Sequence, residues 1–290
     1  GKLARSYPKS HPQFFLGGRN DSFANLQGLL DEVALYDRVL TPEEASAHFK
    51  AVKLTPAPKK QASKVSVPMS PENGLKAIRL PKGYKVQLVA AEPLVKDPVA
   101  IDWAPDGKLW VAEMADYPSG VNGKAGGRIR ILEDSDADGV YDKSTLFLDG
   151  VNFPAGIMCW QQGALVAAAP DIFYAEDTTG DGKADKRTVL YTGFKQGNQQ
   201  LRVNGLRWGL DNWVHGANGS HHSRYTAGIK IQSSSGQTFE LGGFDFRIRP
   251  DEGLFEPLSG PSQFGRSRDD WGNWFGAQNS FPLWHYVLEH

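Results

Sequence analysis

The pattern of Glu133-Asp134-Ser135-Asp136-Ala137-Asp138-Gly139-Val140-Tyr141-Asp142-Lys143 recurs 43 residues later in Glu176-Asp177-Thr178-Thr179-Gly180-Asp181-Gly182-Lys183-Ala184-Asp185-Lys186. An acidic loop that returns at a fixed position after a strand-like run predicts a repeated structural unit. Carboxylates at positions 1, 3, 5 and 9 around a glycine at position 6 suit a hard cation, because alternate side chains turn inward while the glycine permits the sharp turn. The expected ion is calcium, held by Asp134, Asp136, Asp138 and Asp142 in the first copy and by Asp177, Asp181 and Asp185 in the second. Thr179 at position 3 makes the second site the weaker. The competing reading is a pair of solvated Asp/Gly turns, which those residues favour without any ion.

No helical pattern flanks either loop, and Thr145 stands where an EF-hand would carry its position-12 Glu. The loops therefore read as connections between strands, similar to the calcium loops of some β-propellers. Outward from them one phrase recurs, an apolar strand, a Gly/Asp/Asn turn and a second strand rich in Trp and Val. Its versions are Val99 to Glu113, Gly156 to Ala169, Asn204 to Gly216 and Asp269 to Gly276. Repeats of about 45 to 60 residues built from short strands predict propeller blades, and residues 75–290 hold about four. Gly at 32, Pro at 18 and Trp at 8 favour short strands and tight turns over helices. The expected fold is all-β, a partial β-propeller of about four blades with its ring open at the C-terminal side.

Before the repeats, Phe14 to Gly18 and Leu30 to Tyr36 read as strands. Leu40-Thr41-Pro42-Glu43-Glu44 then opens a short helix through about Lys50, with Thr41 as N-cap and Glu44 completing a capping box. This order resembles the C-terminal end of laminin-G/concanavalin-like jelly rolls, common in secreted proteins and often glycan-binding. Residues 1–52 are the expected fragment of that domain. Residues 53–74, with four prolines and no apolar period, are the expected linker.

A net charge of −1 and no basic stripe argue against a nucleic-acid partner. No apolar run reaches the roughly 18 residues of a membrane span. Cys159 is alone in an apolar run and reads as a buried, inert thiol. Without Cys-x-x-Cys-His, no c-type haem attaches within this chain. The residues from Arg202 to His222 concentrate polar groups at the ends of a strand pair, where a propeller would open its central channel.

Residues 75–290 resemble, through Val99 to Glu113, the loop at Asp134, Ala168 to Ile172, Arg202 to Gly219 and Asn279 to His285, the propeller of membrane-bound dehydrogenase-like proteins of planctomycetes and verrucomicrobia. Those are similar to the glucose/sorbosone dehydrogenase-like quinoproteins. The resemblance implies a ring of six blades, an extracytoplasmic location, calcium and pyrroloquinoline quinone over the channel, a sugar or related alcohol as substrate, and in many relatives a downstream haem domain as electron acceptor. Arg202, Asn204, Asn218, Glu113 and Asn279 are the expected cofactor-side residues. The catalytic base of those dehydrogenases is a His placed where this chain reads Gln199-Gln200-Leu201-Arg202-Val203-Asn204, so His215, His221 and His222 become the candidates for it. The alternative is a non-catalytic, calcium-stabilised propeller that binds glycan or protein.

Overall fold

The computed structural model describes residues 38–51, 68–120, 124–219 and 228–287. The chain divides into two compact units, Gly1–Pro68 and Met69–His290. The strands expected at 14–18 and 30–36 lie outside the described residues. In the first unit, helix α1 (Pro42–Ala51) forms as its capping box requires: Thr41 N donates to Glu44 Oε2 at 2.9 Å and Glu44 N donates to Thr41 Oγ1 at 3.2 Å. Arg38 clamps the same Glu44 carboxylate with both terminal nitrogens at 2.8 Å.

The second unit begins with a short helix, α2 (Pro71–Ala77), which spans the expected end of the linker at residue 74. Ser70 caps it through Asn73 N, and Pro71 occupies its first turn. Strands follow in series: β1 (Pro98–Trp103), β2 (Leu109–Glu113), β3 (Gly127–Glu133), β4 (Lys143–Val151), β5 (Gly156–Trp160), β6 (Gly163–Ala168), β7 (Asp171–Glu176), β8 (Lys186–Thr192), β9 (Asn204–Trp208), β10 (Val214–Ala217), β11 (Lys230–Ser233), β12 (Thr238–Glu240), β13 (Asp245–Arg249), β14 (Leu254–Leu258), β15 (Arg266–Arg268), β16 (Trp274–Gln278) and β17 (Phe281–Tyr286).

All pairings are antiparallel, in four sheets of order β1-β2-β3-β4, β5-β6-β7-β8-β11-β12, β9-β10-β13-β14 and β15-β16-β17, none closed on itself. The all-β expectation therefore holds. The β11–β12 hairpin, inserted between β10 and β13, leaves its own sheet and extends the second one by pairing Gln232 with Thr192. Nothing in the repeat pattern forecast it, because a hairpin's choice of edge is a long-range matter.

Strand β6 shows how the sheets stack. Its residues alternate by the two-residue period: Ala164, Val166 and Ala168 pack with Trp110, Ile129 and Phe147 of the first sheet, while Leu165 and Ala167 join Leu206, Val214 and Phe246 of the third. A sheet covered on both faces needs apolar residues at every position, and β6 is buried throughout. The first strands of the sheets adjoin in chain order, β1 beside β5, β5 beside β9 and β9 beside β15. At the last of these contacts Gly205 meets Gly265 so closely that a Cβ on Gly205 would stand 2.4 Å from the Gly265 Cα. Glycine is needed there for the approach.

Candidate functional site

A groove runs along the first strands. At its head, where β1 and β9 begin, lies a cavity of 670 Å³ walled by Asp97, Tyr117, Gln199, Gln200, Arg202, Asn204, Gln263 and Asn279 with the apolar Val99 and Phe264. Two loops are tied together over it: Gln200 Nε2 donates to Tyr117 Oη at 2.7 Å and Gln199 Nε2 to the Pro118 carbonyl at 2.8 Å. Glutamines thus stand where the resemblance implies a base, and they act as struts.

Arg202 is the central side chain. It is buried, lies over the Phe153 ring with its guanidinium carbon 4.6 Å from the centroid, and donates Nη2 to the Gln196 carbonyl at 2.7 Å. Its Nε and Nη1 are buried without a hydrogen-bond partner. Burial pulls the guanidinium below its ordinary range, and the nearby Asp116 pulls it back. Asp116 is itself buried, accepting from Phe153 N at 2.9 Å through Oδ2 while its Oδ1 has no partner. Gly219 sits behind Arg202 with a φ of +84°, and a Cβ there would be 2.0 Å from the Arg202 carbonyl oxygen. The position of Arg202 is thereby fixed from the back.

The other expected residues separate into groups. Asn204 lines the cavity, but its amide nitrogen is engaged by the Arg202 and Gln263 carbonyls, both at 2.8 Å, which joins β9 to the segment before β15. Asn279 also lines it, its backbone held by the Gln263 Oε1. Asn218 is buried, with its backbone N–H on Asp245 and its amide on the Gly242 carbonyl, so its side chain holds a turn. Glu113 is fully buried between Arg128 and Arg130 of β3, at 2.9 and 3.1 Å, and is not among the residues lining the cavity. His221 and His222 lie outside the described residues. Asp97, Gln263 and Phe264 escaped the sequence reading; the signal for the first was its place directly before Pro98 and the start of β1.

His215 faces a different cavity, of 370 Å³, between the third and fourth sheets. Its ring stacks on Trp274 at 4.0 Å, and its Nε2 meets both Asp211 carboxylate oxygens at 3.2 Å. Burial lowers its pKa to about 4 against the pull of Asp211. The imidazole is therefore neutral at pH 7. A His depressed from 6.5 contributes stability that is present above 6.5 and lost as pH falls through 4. His215→Gln removes that dependence, so the stability difference between wild type and variant should shrink by about 3 kcal/mol between pH 6.5 and 4, as read by urea unfolding. A difference that stays constant over that window would contradict the assignment.

The two acidic loops connect β3 to β4 and β7 to β8, and their geometry differs. In the first, oxygens of Asp134, Asp136 and Asp138 lie within 4.8 Å of one another. Asp142 turns away to accept from Ser135 N at 3.1 Å and from Ser135 Oγ. In the second, Asp177 accepts from the Thr179, Gly180 and Gly182 backbone N–H groups, and Asp185 clasps Thr178 as Asp142 clasps Ser135. The position-9 Asp is thus a clasp in both copies. Each loop is also closed at its base by an ion pair, Glu133 with Lys143 at 2.9 Å and Glu176 with Lys186 at 2.6 Å. Cys159 is half-buried rather than buried, and burial together with the Asp102 carboxylate raises its thiol to about 12, which disfavours the thiolate.

Residues 70–290 match the family model of DUF7133, a domain of unknown function. The chain belongs to this family. No curated protein matches it. In this DUF7133 domain, among the described residues, no helix is long and apolar enough to cross a membrane.

Proposed function

We propose that the DUF7133 domain is an extracytoplasmic quinoprotein-type dehydrogenase on a β-propeller, oxidising a sugar or related alcohol in the 670 Å³ cavity. The propeller reading is supported by up-and-down sheets whose first strands adjoin in chain order, as blades set around an axis require. Four such sheets would be part of a ring of six.

The observation that carries the functional reading is Arg202. A buried guanidinium with two idle N–H groups at a cavity wall favours a ligand bearing an anionic oxygen, since charge-assisted bonds would replace unsatisfied donors. Arg202 would hold a carboxylate of pyrroloquinoline quinone, which when bound supplies a two-electron acceptor for alcohol oxidation. The amides of Gln199, Gln200 and Asn279 would meet substrate hydroxyls. Among the described residues lining the cavity, Asp97 is the carboxylate able to take the hydroxyl proton, the task the resemblance gives to a His.

Calcium would sit on Asp134, Asp136 and Asp138, at a hairpin end, and brace β3 against β4. Millimolar calcium is then expected to raise the thermal midpoint, and Asp136→Asn to abolish the rise while Asp181→Asn leaves it intact. Equal loss from both substitutions, or no rise, would refute the assignment.

The alternative, a non-catalytic propeller that binds glycan or protein, draws on the absence of an imidazole among the described lining residues. Dye reduction across a panel of sugars and alcohols, with the quinone and calcium added, separates the two. Turnover that Arg202→Ala loses supports the dehydrogenase. No reduction on any substrate supports the binder.

A further inference from the structure

The groove has a second mouth. Where the first strands end, a cavity of 360 Å³ is lined by Asp102 of β1, Arg207 and Trp208 of β9, and Ser267, Arg268 and Asp270 at and beyond β15. A hollow of 280 Å³ between the mouths shares Asn204 with the first cavity and Arg207 with this one. The two cavities are therefore opposite ends of one groove.

Each of the first three inner strands ends in tryptophan, Trp103 on β1, Trp160 on β5 and Trp208 on β9, and Trp271 follows β15. Packing claims only one of them: Trp160 meets Tyr174 edge-on at 5.0 Å against the core. The others stay 57% (Trp103), 42% (Trp208) and 83% (Trp271) exposed. Trp103 Nε1 donates to the Tyr141 hydroxyl at 3.1 Å, and the exposed indole faces at the same end of successive strands make an aromatic rim.

The polar groups beside Trp208 narrow the ligand. Two carboxylates and two guanidiniums line the cavity, so its walls carry no net charge. Arg268 is committed to the Trp208 and Asp269 carbonyls at 2.9 and 3.1 Å, and Asp102 accepts from Cys159 N at 2.8 Å. Among the described residues the side chains of Arg207 and Asp270 have no hydrogen-bond or ion-pair partner, Arg207 being held in β9 by its backbone pairing with His215. A free donor fork and a free acceptor flanking an exposed indole match a ligand that both donates and accepts, has an apolar face and bears no charge.

We propose that this mouth binds a neutral oligosaccharide, with the indole of Trp208 on the C–H face of a pyranose ring and Arg207, Asp270 and Ser267 on its hydroxyls. The proposal does not rest on the oxidation reading, which concerns the other end of the groove.

Isothermal titration of the chain with cellohexaose, laminarihexaose, mannohexaose and xylohexaose tests it, with dextran sulfate as the charged comparison. At least one neutral hexasaccharide should bind. Trp208→Ala and Asp270→Asn should each weaken it by about tenfold, with Arg202→Ala unchanged. Asp270 is exposed, so its variant keeps the test decisive if Trp208→Ala unfolds. Binding of none of the four sugars, binding unmoved by Asp270→Asn, loss on Arg202→Ala, or a preference for dextran sulfate that Arg207→Ala removes would each overturn it.

Discussion

Replacing Asp245 by alanine is expected to lower the unfolding free energy by about 3–5 kcal/mol. Asp245 opens β13 and is fully buried. Its Oδ1 accepts from Asn218 N at 3.1 Å and Ser262 N at 3.0 Å, and its Oδ2 faces Arg266 Nη1 at 3.5 Å and the Tyr286 hydroxyl at 3.4 Å. One carboxylate therefore ties the end of β10 to the segment before β15 and to β17. Arg266, equally buried, lies 4.1 Å over the Tyr286 ring and 5.5 Å over Trp274, with its Nε unpartnered.

Without the carboxylate a guanidinium stays inside with no counter-charge, which is why breaking such a pair costs more than the pair contributes. Burial raises the Asp245 pKa to about 6 against Arg266 and the Ser262 donors, so a proton-linked part of the stability is complete below 3.8 and lost as pH rises through 6, above which the ionised carboxylate is the counter-charge of Arg266. Asp245→Ala with Arg266→Met should be less destabilising than Asp245→Ala alone. Urea unfolding followed by near-UV circular dichroism measures both. A loss below about 1 kcal/mol for Asp245→Ala would show the two sheets to be held by other contacts.

Glu113→Ala is expected to cost about 3 kcal/mol. Its Oε2 sits between the Nε atoms of Arg128 and Arg130, and its Oε1 accepts from Lys96 N at 2.7 Å. The two arginine side chains are 25% and 21% exposed, so both can recover some hydration, which keeps the cost near the lower end for a broken buried pair. Glu113→Gln keeps an acceptor for Lys96 N and should cost less than the alanine. A role in cofactor binding predicts the reverse pattern, weaker quinone binding with unchanged stability, and equilibrium unfolding beside a binding titration separates them.

The features legible in sequence were local. The Thr41/Glu44 capping box, the apolar run of β6 and the paired acidic loops each depend on neighbours a few residues away, and each has its expected backbone. The helix α2 was legible too, since Ser70-Pro71-Glu72 is an N-cap with Pro in the first turn, but the prolines upstream drew the stretch into a linker. What sequence could not yield is decided by pairing across long separations. His215 lies with Trp274 rather than Arg202, Asp245 meets Arg266 and Tyr286, and the β11–β12 hairpin joins a sheet begun before it. The acidic loops show the same division. Position 9 looked like a ligand by spacing, yet the hydroxyl at position 2 offers its carboxylate a nearer partner in both copies.

Titration of pyrroloquinoline quinone into the chain and into Arg202→Ala, with calcium present, tests the central claim most directly. Saturable binding by the wild type that weakens by about 10- to 100-fold in the folded variant is the predicted result. Equal affinity in the two proteins, or no binding to either, would contradict it.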